Sequence, residues 1–201
     1  MHALPLPRRG LLAGLLAAAA LAACSSTPPK VYTLATVPGA AVAGRPVTAS
    51  VAAVEVPKYL DRPQIVRRSG TVELGVEEFE RWGEPLANMV QRVLADDLAA
   101  RLPAGSVVTT SRTLSGDEAL TVELALGRFD PEADGTVVLE AQWRVQRKSG
   151  GRPRTETARI TRRPADDSTA AEVRAMSDAL GELADRIARQ IPFPAGRSKP
   201  R

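Results

Sequence analysis

The chain has 201 residues, of which 44% are hydrophobic, 25% are charged and only 3% are aromatic. This length and composition predict one globular domain with a core built mainly from aliphatic side chains. The 27 basic and 23 acidic residues give a net charge of +4, and the basic residues form no continuous stripe, which argues against a nucleic-acid-binding protein.

Residues 1–23 have the layout of a secretory signal. Arg8 and Arg9 precede an apolar run from Leu11 to Ala22, and small residues complete the segment. The run holds about a dozen residues, whereas about 20 are needed to span a bilayer. We therefore expect a signal peptide here and no permanent transmembrane helix.

The single cysteine of the chain, Cys24, ends the sequence "LAAC" and precedes the polar stretch "SSTPPK". "LAAC" resembles the lipobox of bacterial lipoproteins, in which the signal is cleaved before a cysteine that is then acylated. The resemblance implies a lipid anchor at Cys24 and a tether over residues 24–30. Because Ser25, and not aspartate, follows the cysteine, it also implies export to the periplasmic face of the outer membrane. The alternative is a free thiol that follows an ordinary signal peptide.

The first half of the mature chain predicts strands and then a helix. β-Branched, alternating residues predict strands over 31–34 and 47–57, and two more within 63–76. Apolar residues at helical spacing then predict an amphipathic helix over 84–102, with Pro85 in its first turn. We expect four residues of this helix to face solvent: Gln91, Arg92, Asp96 and Arg101.

The second half predicts a strand meander and a long helix. Strands are expected over 106–111, 119–130, 136–148 and 155–163, and the pair Asp134–Gly135 is a hairpin signal. An apolar stripe over 166–191 predicts the second helix. The elements together predict an α+β fold over 31–191. In it, one antiparallel or mixed sheet carries both amphipathic helices on one face as a two-layer sandwich, followed by a flexible tail at 192–201.

The residue inventory argues against catalysis. The only histidine, His2, lies in the leader, so the mature chain has no Ser–His–Asp or Cys–His arrangement. With Cys24 acylated, as the lipobox resemblance implies, it also has no histidine or free cysteine to bind a metal. No glycine-rich nucleotide-binding motif occurs, and no cofactor is expected. Three carboxylate pairs remain and are interpreted as solvated surface: Glu77–Glu78, Asp96–Asp97 and Asp166–Asp167.

Several segments, in this order, resemble the PqiC family of ABC-type transport auxiliary lipoproteins. They are "YTL" after the lipobox, residues 54–68 with "YLDRPQIV", residues 81–103 with Trp–x–x–Pro–Leu, residues 120–145 and the terminal helix. The resemblance implies a non-catalytic lipoprotein that docks an MCE-domain (PqiB-like) protein at the outer membrane for lipid transport, and that forms a ring-shaped homo-oligomer. The alternative is a structural or assembly lipoprotein without a transport partner.

The segment "YLDRPQ" has two interpretations. Either Tyr59 and Leu60 form a buried turn and Pro63 shields an edge strand, or the segment contacts a neighbouring subunit or the MCE protein. We favour the second interpretation because the segment is polar, extended and bracketed by prolines. The predicted interface is Tyr59, Leu60, Asp61, Arg62, Pro63 and Gln64. A second set is predicted to be structural, fixing the start of the first helix: Trp82, Pro85 and Leu86.

Overall fold

The computed structural model describes residues 28–110, 119–150 and 152–191. The leader, Cys24 and the predicted tail therefore lie outside the described residues. The elements, in chain order, are β1 (Lys30–Tyr32), β2 (Thr48–Val51), β3 (Gln64–Arg68), β4 (Leu74–Trp82), α1 (Leu86–Arg101), β5 (Val107–Thr109), β6 (Leu120–Pro131), β7 (Val137–Arg147), β8 (Arg154–Arg162) and α2 (Thr169–Gln190).

The strands form two mixed sheets, which confirms the α+β class but corrects the expectation of a single sheet. The three-stranded sheet has the order β1-β4-β3, and the five-stranded sheet has the order β5-β2-β6-β7-β8. β1 is parallel to β4, and β2 is parallel to both β5 and β6. The remaining pairs, β3–β4, β6–β7 and β7–β8, are antiparallel.

β1 joins the three-stranded sheet through a part of β4 that its sequence pattern does not predict. The expected strand ended at residue 76, but β4 continues to Trp82 through "EEFERW". This polar extension pairs Glu80, Arg81 and Trp82 with β1. β2 pairs instead with β5 and β6 in the other sheet.

Both helices pack against one face of the five-stranded sheet and against each other. Strand alternation explains this face, because every second residue of β6 and β7 is buried while the residues between them are partly or fully exposed over most of the two strands. Trp143 in β7 is 1% exposed, and its indole N–H donates to the Gln190 side chain in α2 at 2.6 Å. The two-layer core predicted from the stripes is therefore present.

Local capping decides where each helix begins. Pro85 is the N-cap of α1, and its carbonyl accepts the N–H groups of Asn88 and Met89 at 3.0 and 3.1 Å. Ser168 caps α2 by accepting the Ala171 N–H at 3.2 Å. α2 thus starts at Thr169, three residues later than the periodicity indicates. Neither helix in the described part of the chain combines the length and apolar content needed to cross a membrane.

Candidate functional site

The loop between β2 and β3 contains the predicted interface segment, residues 59–64. Leu60 is 3% exposed and belongs to the core, and its N–H donates to the Pro57 carbonyl at 2.9 Å to close a turn. The buried Leu60 side chain cannot reach a partner, which corrects the prediction for that residue. Three residues of the segment are exposed at the surface: Asp61, Arg62 and Pro63.

Tyr59 is half-buried and contacts both Asp130 and Arg68. Its hydroxyl donates to Asp130 Oδ2 at 2.5 Å, and the Arg68 guanidinium carbon lies 5.8 Å from the ring centroid. Burial, reinforced by the hydrogen bond to Asp130, raises the pKa of Tyr59 to about 12. The hydroxyl is therefore protonated and committed to Asp130, so Tyr59 ties the loop to the end of β6.

Gln64 is partly exposed and begins β3, an edge of the three-stranded sheet. The Pro63 carbonyl accepts the Trp82 N–H at 2.7 Å. The pairing register between β3 and β4 then shifts between Gln64 and Ile65, because residues 78–80 of β4 form a bulge there. In the described part of the chain, no strand pairs with the other side of β3. The exposed residues of the segment thus lead directly into an edge strand of the sheet.

The residues predicted to fix the first helix lie at the junction of β4 and α1. Trp82 ends β4 opposite Tyr32 of β1 and is 7% exposed, and Leu86 begins α1 and is 2% exposed. Pro85 stands between them at the N-cap, with its ring exposed. Trp82 and Leu86 are thus buried on either side of the turn that joins β4 to α1.

A buried ionic cluster between the helices was missed by the sequence analysis. Arg101 in α1 is 1% exposed, and its Nε donates to Asp185 Oδ1 of α2 at 2.5 Å. Its Nη1 donates to the Asp97 carbonyl at 3.0 Å and lies 3.6 Å from Asp97 Oδ1. Asp97 is fully buried. The prediction that Arg101 faces solvent and that Asp97 belongs to a solvated pair is wrong.

This cluster holds the N-terminal segment, residues 33–42, against both helices. The Val37 N–H donates to Asp97 Oδ1 at 2.7 Å, and the Val37 carbonyl accepts from Arg101 Nη1 at 2.9 Å. A Cβ on Gly39 would lie 2.4 Å from the guanidinium carbon of Arg101, so only glycine lets the backbone approach so closely. The segment that follows the predicted tether is therefore fixed to the helix pair.

The sequence does contain a signal for this cluster. Asp97 and Arg101 are four residues apart and fall on the apolar stripe of α1, next to Leu94 and Leu98. A charged pair inside a buried stripe indicates an internal ion pair. What the sequence cannot show is Asp185 or the backbone of Val37, because both come from distant parts of the chain.

Asp97 makes stability depend on pH. Burial, with the nearby Asp96 and Asp185 charges, outweighs the Val37 hydrogen bond and the Arg101 charge, and raises the pKa of Asp97 from 3.8 to about 6. Between these values the folded state binds more protons than the unfolded state, so this stabilising contribution is complete at about pH 4 and is lost as the pH rises past 6.

The substitution Asp97→Asn removes this titration. Urea unfolding should show that the free energy of unfolding of Asp97→Asn increases relative to that of wild type by on the order of 2–3 kcal/mol between about pH 4 and pH 7. If the difference in free energy of unfolding between the variant and wild type is the same at both pH values, Asp97 titrates normally.

A second ionic cluster joins the three-stranded sheet to the start of α2. Arg67 of β3 donates to Glu172 Oε2 and to the Thr169 hydroxyl, both at 2.7 Å, and pairs with Glu77 at 2.6 Å and Glu80 at 3.1 Å. Burial raises the pKa of Glu172, against the opposing effect of Arg67. Each group has a partner within the cluster, and the described residues contain no group of acidic, histidine or cysteine side chains suited to a metal ion.

The sequence relationship says which kind of protein this fold belongs to. The family model of the ABC-type transport auxiliary lipoprotein component matches residues 32–188. The chain belongs to this family. The family consists of membrane-anchored, generally non-catalytic auxiliary components of transport systems. Membership confirms the resemblance noted in the sequence.

Solved structures share the fold. An uncharacterized protein superimposes with a TM-score of 0.71 at 22% identity, over 83% of this chain and 100% of that chain. A Xanthomonas campestris protein of the DUF330 family superimposes with a TM-score of 0.64 at 18% identity, over 79% of this chain and 92% of that one. A comparison with curated proteins gave no match. At these identities the likeness establishes the fold.

Proposed function

We propose that this lipoprotein is the docking subunit of a PqiABC-type MCE lipid-transport system. It is acylated at Cys24, faces the periplasm from the outer membrane and holds the MCE-domain protein there without catalysing a reaction. The family match over residues 32–188 carries the proposal, because it makes the chain an auxiliary lipoprotein of transport. The exposed residues Asp61, Arg62 and Pro63, which lead into the edge strand β3, supply a surface for assembly.

Co-purification tests the transport role. The acylated protein, tagged at its C-terminus and extracted from outer membranes in mild detergent, should bring down an MCE-domain protein encoded beside it. A matched outer-membrane lipoprotein of unrelated fold serves as the control for membrane carry-over. If only outer-membrane assembly factors co-purify and no MCE gene adjoins the locus, the chain is a structural or assembly lipoprotein instead.

The proposed assembly is a homo-oligomeric ring. One surface segment that contacts a different surface of the next copy gives a head-to-tail interface, and such interfaces close into rings when the rotation permits. The segment Asp61–Gln64 is suited to this, because its side chains reach solvent while Leu60 and Tyr59 fix its backbone. The central opening of the ring would face the MCE protein.

The double substitution Asp61→Arg with Gln64→Glu is expected to lower the assembled mass while leaving the fold intact, because neither side chain is buried. Light scattering on the non-acylated protein measures the mass, and circular dichroism checks folding. The control is Asp178→Arg with Gln146→Glu, which makes the same charge changes at exposed positions of α2 and β7 and should retain the wild-type mass. A wild type that is monomeric at tens of micromolar excludes the ring, and a mutant of unchanged mass places the interface elsewhere.

A further inference from the structure

The exposed hydrophobic side chains of the described residues are concentrated on the three-stranded sheet. Val31 lies in β1, Phe79 in the bulge of β4, and Val72 and Leu74 at the tip of the β3–β4 hairpin. Val72 is 95% exposed and Phe79 is 57% exposed. The remaining exposed large hydrophobic of the described part is Val107, in the other sheet. Val72 and Leu74 are two residues apart, so the hairpin tip presents two exposed apolar side chains close together in the chain.

The hairpin tip, residues 69–73 with the adjoining Leu74, carries little charge. The Ser69 N–H donates to the Glu73 carbonyl at 3.1 Å and closes the tip. Glu73 is the one ionisable residue between Ser69 and Gly75. A Cβ built on Gly70 meets nothing within 4 Å, so the tip projects away from the rest of the domain. A projecting, nearly uncharged, apolar tip suits the boundary between lipid headgroups and acyl chains.

The direction of β1 points the tether toward this tip. β1 is parallel to β4 with Lys30 opposite Glu80, so the chain before Lys30 leaves the sheet in the direction of Leu74. Glu80 and Leu74 are six residues apart in β4, which corresponds to about 20 Å or less along the strand. Cys24 is also six residues before Lys30, so the tether reaches at most about 20 Å. The two prolines at its end, Pro28 and Pro29, favour an extended backbone.

We propose that the tip of the β3–β4 hairpin rests on the lipid bilayer that holds Cys24. Val72 and Leu74 enter the headgroup boundary, and the Glu73 carboxylate stays at the level of the headgroup water. The proposal rests on the acylation of Cys24 in the proposed function. The bilayer is the occupant because the longest reach of the tether, about 20 Å, matches the length of β4 from Glu80 to the tip, so an extended tether would place the membrane at the level of the tip.

This contact would orient the domain. A single flexible tether leaves a lipoprotein free to rotate, whereas a tether and a second contact on the same sheet define which side faces the membrane. The helix layer, with the segment 33–42 bound to it, would then have a fixed direction relative to the bilayer. A fixed direction is useful to a subunit that must present one surface to a partner.

The sole native cysteine makes a site-specific test simple, since acylation blocks Cys24 and leaves an introduced thiol as the single labelling site. Val72→Cys in the acylated protein is labelled with an environment-sensitive fluorophore and reconstituted into phosphatidylethanolamine–phosphatidylglycerol vesicles. Quenching by lipids that carry a nitroxide near the headgroup is then measured. The matched control is Val107→Cys, an exposed valine at the start of β5 in the other sheet. Circular dichroism checks that both variants fold.

We expect blue-shifted emission at position 72 and quenching there about twofold or more above that at position 107. Equal, weak quenching at both positions would place the tip in water and overturn the contact while leaving the anchor intact. A blue shift that nitroxide lipids do not affect would mean that protein, such as a second copy, covers the tip, and would also overturn it. If wild-type Cys24 accepts the label, the chain is not acylated and both proposals fail.

Discussion

Replacement of Arg101 by alanine is expected to lower the free energy of unfolding by about 3–5 kcal/mol. The side chain is 1% exposed, and its removal leaves Asp97 buried without its cation while Asp185 Oδ1 and the Val37 carbonyl lose a donor. A buried charge that loses its partner costs far more than the pair contributed in net stability. Urea denaturation at about pH 7, followed by circular dichroism, measures the loss.

Arg92→Ala provides the matched control on the same helix. Arg92 is 49% exposed and pairs with Glu84 at 2.6 Å, so its removal should cost less than about 1 kcal/mol. The penalty for Arg101→Ala should also shrink at about pH 5, because Asp97 can then accept a proton and need no longer be buried as an anion. If the two substitutions lower the free energy of unfolding equally, the buried cluster stabilises the fold no more than an exposed ion pair does.

The elements with strong periodicity could be predicted from the sequence. β6, β7 and α2 bury one side of a regular pattern, so alternation or helical spacing identifies them, and the observed bounds differ from those expected by one to three residues. The ends are less certain because they depend on local capping. Ser168 is an example, since its side chain accepts the Ala171 N–H and delays the start of α2.

The division into two sheets could not be predicted, because it depends on pairing between distant segments. The residues Glu80 and Arg81 carry no strand signal of their own and become strand only because β1, some 50 residues earlier, pairs with them. The prediction that Arg101 faces solvent was wrong for the same reason. Its partners Asp185 and Val37 come from another helix and from the N-terminal segment.

The candidate surface was partly visible in the sequence. The proline-bracketed segment indicated an accessible turn, and Asp61, Arg62 and Pro63 are exposed. Leu60 is buried, as the alternative interpretation of a buried turn at Tyr59 and Leu60 expects for that residue. The exposure of Val72 could not be predicted, since a valine beside a strand is ordinarily buried and here it lies at a hairpin tip.

Cys24→Ala is expected to abolish attachment to the outer membrane. Cys24 is the single cysteine of the chain and the proposed acylation point, and each acyl methylene buried in lipid contributes about 0.8 kcal/mol, so removal of the thiol removes the proposed anchor. The two apolar side chains of the hairpin tip, Val72 and Leu74, are too few to hold the domain on the membrane alone. Fractionation should move the protein from the membrane pellet to the soluble or signal-retained pool, with a change in mass on gels. A variant that matures to the same mass and still sediments with outer membranes would refute the anchor.

Ser25→Asp separates anchoring from destination. Resemblance to Gram-negative lipoproteins implies that aspartate after the acylated cysteine retains the protein at the inner membrane, so this variant should stay in the membrane pellet but band with inner-membrane markers on a density gradient. The domain should be unaffected, because residue 25 precedes β1 by several residues. At the inner membrane, the variant would keep its fold and its acyl chains. It would no longer reach the end of the proposed MCE partner that meets the outer membrane. Loss of co-purification in Ser25→Asp, with assembly retained, would therefore tie the transport role to the outer-membrane position and not to acylation as such.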